Sequence, residues 1–114
     1  MDGCLFCKIV RGEIPSAKVF ENDRVLAFKD IHPIAPVHVL VIPKKHLRSL
    51  AEAGEDEGAL LGELLLVTRD LAVQAGVAET GYRVVTNIGA DGAQQIDHLH
   101  FHLIGGRKLK ARPE

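Results

Sequence analysis

The chain has 114 residues, 14 Lys and Arg against 15 Asp and Glu, a formal net charge of −1 and a hydrophobic content of 46%. That balance lacks the basic excess of an avid nucleic-acid binder, no run is apolar for long enough to cross a bilayer, and a chain of this size can bury a core without disulfide staples. The opening MDGCLFCKIV has no basic segment leading into a long apolar core, so the expectation is a cytoplasmic protein, one domain over residues 1–114, that binds neither nucleic acid nor membrane.

Residues 4–11 are expected to form a short helix that stops before GEIPS, where Gly12 and Pro15 break regular structure. AKVFENDRVLAFKD, residues 17–30, reads as two strands joined by a turn at Glu21-Asn22-Asp23. The two prolines of HPIAP make residues 32–36 an irregular loop, with His32 a solvated residue in it. VHVLVIP, residues 37–43, is almost wholly apolar and β-branched, which suits a strand covered on both faces. Within residues 55–76, Leu60, Leu64, Val67 and Leu71 recur at helical spacing, and Leu61, Leu65 and Ala72 widen the stripe. Glu55, Asp56 and Glu57 sit near the positive end of that helix, and Gly76 is its expected stop. YRVVTNI and HLHFHLI, residues 82–88 and 98–104, are the last two strands, separated by the polar loop GADGAQQID. Short strand connections and one long helix give an α+β class, an antiparallel sheet with the helix against one face.

Alternation along the last strand puts His98, His100 and His102 on one face and Leu99, Phe101 and Leu103 on the other, where they can meet the long helix. A rise of roughly 3.3 Å per residue sets successive histidine backbones about 6.6 Å apart, so two rings can converge on one small tetrahedral group. Three readings compete: a histidine-rich polar face, a metal site, or covalent catalysis in which one neutral imidazole attacks phosphorus while a neighbour handles the proton. Cys4 and Cys7 have a zinc-ligand spacing, but one pair is half a site. Reduced, partly buried thiols are the alternative. A thioredoxin-type redox pair lacks its βαβ surroundings.

HLHFHLIGG carries the pattern His-x-His-x-His followed by apolar residues. Residues 12–46, GEIPS to PKKH, and 81–107, GYRVV to LIGGR, resemble the Hint branch of the histidine triad (HIT) superfamily nearly throughout. The resemblance runs from Phe6 to Arg107. It implies the HIT fold, an antiparallel five-stranded sheet with one long and one or two short helices, and a homodimer whose two sheets join into one of ten strands. The implied activity is hydrolysis of purine nucleoside 5′-phosphoramidates, such as adenosine 5′-monophosphoramidate or AMP-lysine, with purine nucleotides (AMP or GMP) as the bound part.

The resemblance makes His100 the nucleophile, passing through a nucleotidyl-histidine, with His102 beside the leaving group and His38 beside the phosphate. Histidine rather than glutamine at 102 favours hydrolysis over nucleotide transfer. By the same resemblance Asp30 accepts hydrogen bonds from the ribose hydroxyls, with Ile31 beside the sugar. Phe6, Ile9, Phe28 and Leu40 line an apolar base slot, although ordinary core burial explains those four equally well. Asn87 aligns with an amide near the phosphate, where the dinucleoside polyphosphate branch has glutamine. The loop GAQQ, Gly92 with Ala93, Gln94 and Gln95, should aim backbone N–H groups at the phosphate and steady its transition state.

Three departures stand out: Ala93-Gln94-Gln95 in place of Gly-Gln-Ser, Asp97 in place of a bulkier residue, and a tail, KLKARPE, without the tryptophan of many relatives. In some bacterial relatives the Cys-x-x-Cys pair is completed by two histidines, here His46 and His98, to hold a structural zinc ion. The resemblance implies that catalysis itself needs no cofactor. The rival functions are dinucleoside polyphosphate hydrolysis, a non-catalytic nucleotide-binding adaptor, and a metalloenzyme.

Overall fold

The computed structural model describes residues 3–112. Helix α1, Leu5–Val10, starts at Cys4, whose sulfur accepts the Cys7 N–H at 3.3 Å. Strands β1, Lys18–Glu21, and β2, Val25–Lys29, form a hairpin. Its turn is closed by Asn22, whose side-chain oxygen accepts the N–H groups of Arg24 and Val25 at 2.9 and 2.8 Å. Strand β3 is Val37–Pro43, helix α2 is Gly58–Gln74, and strands β4 and β5 are Tyr82–Val85 and Phe101–Gly105. The strands make one antiparallel sheet in the order β1-β2-β3-β5-β4, the architecture expected from the sequence.

The alternation of side chains gives this sheet two apolar faces. On one, Val25 and Ala27 of β2, Val39 and Val41 of β3, and Phe101 and Leu103 of β5 pack with Leu64, Val67 and Leu71 of α2. On the other, Leu26, Phe28, Leu40 and Ile42 pack with Phe6 and Ile9 of α1. β3 is therefore covered on both sides, as its almost wholly apolar run predicts. The cover over the histidine face is α1, whose Phe6 and Ile9 lie with Phe28 and Leu40 as the resemblance implies.

Helix α2 ends where Gly76 adopts φ +78°, a conformation that costs a side-chain-bearing residue about 1–2 kcal/mol. With that turn made, Gly76 N–H reaches Val73 O and Val77 N–H reaches Ala72 O, both at 3.1 Å, which caps two final-turn carbonyls. The acidic triplet Glu55–Glu57 forms a separate 3₁₀ turn before α2 rather than its first turn. One stripe residue is corrected: Leu65 is 49% exposed. Thr68 occupies the inward position instead, its hydroxyl satisfied by Leu64 O at 2.7 Å. Leu65, Leu66 and Val73 form an outward apolar strip.

The last two strands are shorter than their apolar patterns suggest. After Val85 the chain leaves the ladder, and the Thr86 hydroxyl donates to His100 O at 2.7 Å. His98 and His100 thus lie on the approach to β5, not in it. The side-chain alternation persists there: Leu99 joins the α2 core, while His98 and His100 are buried on the other side against Phe6.

Candidate active site and metal centre

The first of the three histidines points away from the other two. His98 donates from Nε2 to Pro43 O at 2.8 Å, so the lone pair of its neutral ring sits on Nδ1. That nitrogen faces Cys4 Sγ at 3.3 Å and Cys7 Sγ at 3.6 Å, and His46 Nδ1 lies 3.2 Å from Cys7 Sγ. Around a tetrahedral zinc ion, with its usual bond lengths, a sulfur and a nitrogen ligand stand about 3.6 Å apart. The four donor atoms lie within 4.8 Å of one another, and the backbone acceptor on His98 is the kind of outer contact that orients a metal-bound imidazole. The donor set therefore fits a Cys2His2 zinc ion. Burial, opposed by the Pro43 hydrogen bond, holds the His98 pKa down to about 4. Burial and the neighbouring Cys4 raise that of Cys7, so without a cation the thiol form is favoured. A cleft of about 580 Å³, lined by Cys4, His46, Gln95 and Ile96 among others, opens over this cluster.

His100 is fixed in the complementary way. Its Nδ1 lies 2.6 Å from His98 O, an acceptor only, so Nδ1 carries the proton and Nε2 the lone pair. Burial lowers its pKa, against the pull of the His98 carbonyl and of Asp30, and keeps the ring uncharged. Phe6 meets it edge-on at 5.2 Å, which fixes the ring plane.

His38 and His102 are set by a chain of contacts. Ile34 N–H donates to His38 Nδ1 at 3.2 Å; a backbone N–H cannot accept, so the proton of neutral His38 is on Nε2. That N–H lies 2.9 Å from His102 Nδ1 and 3.3 Å from Asp30 Oδ2. His102 Nδ1 is then an acceptor, and its ring keeps its proton on Nε2. Burial lowers the His38 pKa, and burial with the His100 and His38 rings brings that of His102 to about 4, while Asp30 acts in the opposite sense on both. The His100 and His102 rings stand 5.0 Å apart. Together they present a bare nitrogen on one ring and an N–H on the next.

The remaining expected residues fall into three groups. Asp30 stands at the rim behind His38, its other oxygen taking the His32 N–H at 2.8 Å, and Ile31 beside it is 84% exposed. Phe6, Ile9, Phe28 and Leu40 are each no more than 6% exposed. They form a filled apolar floor under the histidine face, so a base could meet only their outward edges. The loop residues differ most from expectation. Ala93 N–H donates to Ala90 O at 3.0 Å and Gln94 N–H to Gly89 O at 3.1 Å. Those two amides close the loop and do not point at a ligand. Gln95 N–H has no protein acceptor among the described residues. The Gln94 side chain clasps Gly89 N–H, Arg48 O and Ile96 O, and Asn87 donates to Gly92 O at 2.8 Å. A Cβ on Gly92 would lie 2.3 Å from Ile88 O, so the loop closes this tightly only over glycine. Asp97 is exposed, 3.8 Å from Arg48.

Ala93 is the single non-glycine residue with positive φ among the described residues, at 61°. The strain is about 1–2 kcal/mol, of which glycine's extra chain entropy returns about half. Ala93→Gly is therefore expected to raise stability by about 0.5–1 kcal/mol, read as a later urea midpoint with unchanged slope. An unchanged or earlier midpoint would mean the loop relaxes around this residue.

Sequence reasoning did not single out Thr86, Ile34, Arg107 or the contact between Asp30 and His38. A threonine in a strand and an arginine after one carry no signal until the fold brings them to the site.

Comparison with known proteins places this geometry. The family model described as HIT domain matches residues 11–109. A curated relative, the 14 kDa zinc-binding protein of Zea mays, is 49% identical over 111 residues, covering 96% of this chain and 86% of the relative. Among solved structures, a HIT family hydrolase from Legionella pneumophila superposes with a TM-score of 0.96 at 46% identity, covering 98% of this chain and all of the other. A histidine triad nucleotide-binding protein from Candida albicans superposes with a TM-score of 0.82 at 37% identity, covering 98% and 85%.

Proposed function

The chain belongs to the HIT domain family, and on that premise we propose that it is a nucleotide hydrolase that cleaves purine nucleoside 5′-phosphoramidates through a nucleotidyl group on His100. The observation that carries this reading is the 2.6 Å contact from His100 Nδ1 to His98 O. It leaves Nε2 of a buried, neutral ring as an unprotonated nucleophile, with the His102 ring alongside. The solved relatives named a hydrolase and a nucleotide-binding protein support the class of reaction and ligand.

His100 Nε2 forms a bond to the α-phosphorus as the phosphorus–nitrogen bond to the amine breaks. The amine needs one proton, and His102 is placed to deliver it from Nε2. A seated phosphate, with Asp30 behind, adds negative charge that counters the burial depressing the His102 pKa and lets that ring carry the extra proton on Nδ1, the His38 Nε2–H then turning to Asp30 Oδ2. In the second step water attacks phosphorus, His102 takes a proton from it, and the bond to His100 breaks to release the nucleoside monophosphate. His38 holds His102 in the tautomer that faces the substrate, and Asp30 Oδ2 is the acceptor for a ribose hydroxyl. Gln95 N–H is the loop donor left for a phosphate oxygen.

Cys4, Cys7, His46 and His98 would hold a zinc ion that ties α1 to the approach of β5 and supplies no reacting atom. The outward strip of Leu65, Leu66 and Val73, with Tyr82 and Val84 exposed on edge strand β4, supports a homodimer formed along that edge. No described helix is long and apolar enough to cross a membrane.

The test is trapping. Acid- or base-quenched single-turnover reactions with AMP-lysine and, separately, diadenosine tetraphosphate are analysed by intact mass and peptide mapping. The expected result is an AMP adduct on His100 and faster turnover of AMP-lysine. An adduct elsewhere, or preference for the dinucleotide, would overturn the assignment.

A further inference from the structure

We propose that Arg107 is a positioning residue that sets which nitrogen of His102 carries its proton, acting through Ile34 and His38. The proposal rests on the phosphoramidase reading for its catalytic consequence, but not for its structural one. Arg107 lies just past the end of β5, and its guanidinium donates to one backbone carbonyl, Ile34 O, from Nε at 3.1 Å and from Nη2 at 3.0 Å. A third nitrogen, Nη1, donates to Lys108 O at 3.2 Å. Two N–H groups of one charged guanidinium on a single carbonyl hold that peptide more firmly than one neutral hydrogen bond would.

The residue so held is the one that orients the catalytic pair. Ile34 N–H is the donor on His38 Nδ1 at 3.2 Å, and His38 Nε2 in turn is 2.9 Å from His102 Nδ1. Ile34 is gripped at its carbonyl by Arg107 and grips His38 with its N–H. The loop around it has few means of holding itself, because Pro33 and Pro36 have no N–H to donate. Ile34 itself is 57% exposed, so burial does not fix it either. An arginine arriving from outside the loop supplies what its own backbone lacks.

The approach of Arg107 is also built in. Gly106 has φ +93°, and a Cβ there would lie 3.0 Å from Pro36 Cβ and 3.3 Å from its Cγ. The chain leaving β5 therefore turns against the Pro36 ring, and this brings the next residue onto Ile34. A side chain at 106 would be strained and would push the two segments apart.

The consequence concerns the tautomer. If residue 34 drifts, only Asp30 Oδ2, at 3.3 Å, still holds the His38 proton on Nε2; rings that move it to Nδ1 present a bare Nε2, which demands the proton of His102 on Nδ1. His102 would turn a lone pair toward the phosphate and the departing amine, where an N–H is needed. A correctly placed ring in the wrong tautomer is catalytically defective without being misfolded.

The experiment uses the full chain, as wild type, Arg107→Met and Arg107→Lys. Imidazole nitrogen shifts from two-dimensional ¹H–¹⁵N spectra, recorded without substrate, report the tautomers of His38 and His102. Wild type should show His38 protonated at Nε2, Arg107→Met a mixture, and Arg107→Lys a state nearer wild type. Turnover is then compared for an AMP alkylamidate, whose amine must be protonated to leave, and an AMP nitrophenyl ester, whose leaving group needs no proton. Arg107→Met should lose roughly tenfold in kcat on the amidate, a fraction of what removing a general acid costs, with KM and ester turnover nearly unchanged. Unaltered tautomers in Arg107→Met, or equal losses on amidate and ester, would overturn the proposal. If Arg107→Met does not fold, Arg107→Gln, which cannot make the paired contact to Ile34 O, is read by the same two criteria. Should the wild type cleave neither substrate, the hydrolase reading fails while the spectra still decide the role of Arg107.

Discussion

His100→Gln is expected to lower turnover of an adenosine 5′-phosphoramidate by at least about 10⁴-fold while nucleotide affinity changes by less than about threefold. Losing the nucleophile of a covalent mechanism removes the reaction path itself, whereas losing a binding contact costs only its share of affinity. Glutamine is chosen because His100 is buried against Phe6, 5% exposed. Alanine there would open a cavity and confuse instability with inactivity. The measurement pairs single-turnover kinetics with AMP titration by calorimetry, and thermal melting confirms that the variant is folded. His102→Ala should be milder, roughly 10²-fold on an amine leaving group, because the nucleophile remains and only proton delivery is lost. A His100→Gln protein that retains more than a hundredth of wild-type turnover would remove the covalent route from consideration, and a non-catalytic adaptor would show no wild-type turnover to lose.

What the sequence made legible follows from what kind of signal each feature leaves. The five strands and long helix were readable because period-2 and period-3.6 apolar patterns survive in one dimension, and the division of β5 into a histidine side and a leucine side is that period expressed directly. Leu65 was misplaced because a leucine-rich helix offers more apolar residues than one face can bury, and Thr68 took the inner place by satisfying its hydroxyl locally. The candidate metal cluster could be assembled only by family resemblance, since its four residues come from three distant segments and no spacing rule joins them. Least readable were the backbone roles. That His98 O orients His100, that Ile34 N–H orients His38, and that the Ala93 and Gln94 amides close their own loop depend on atoms every residue possesses. Side-chain identity is silent about them. The active site is thus specified half by residue types and half by where the chain is forced to turn.

Zinc removal is the second large effect expected. The candidate ligands join α1, through Cys4 and Cys7, to the segment after β3, through His46, and to the approach of β5, through His98. An ion that binds only the folded arrangement adds RT ln(1 + [Zn]/Kd) to stability, about 4 kcal/mol when free zinc stands a thousandfold above Kd. For a domain of this size that corresponds to a fall in Tm of roughly 15 °C on chelation. Cys7→Ser should melt at the same temperature as the chelated wild type and should not respond to chelator, because its site is already broken. Elemental analysis should give one zinc per chain for wild type and none for the variant. The same sample separates a structural ion from a reacting one. Held well below its reduced Tm, the chelated protein should still form the His100 adduct, more slowly because His98 O, 2.6 Å from His100 Nδ1, has lost its anchor. Adduct formation abolished in a chelated protein that remains folded would place the metal in the chemistry, and a Tm indifferent to chelation would remove it from the structure.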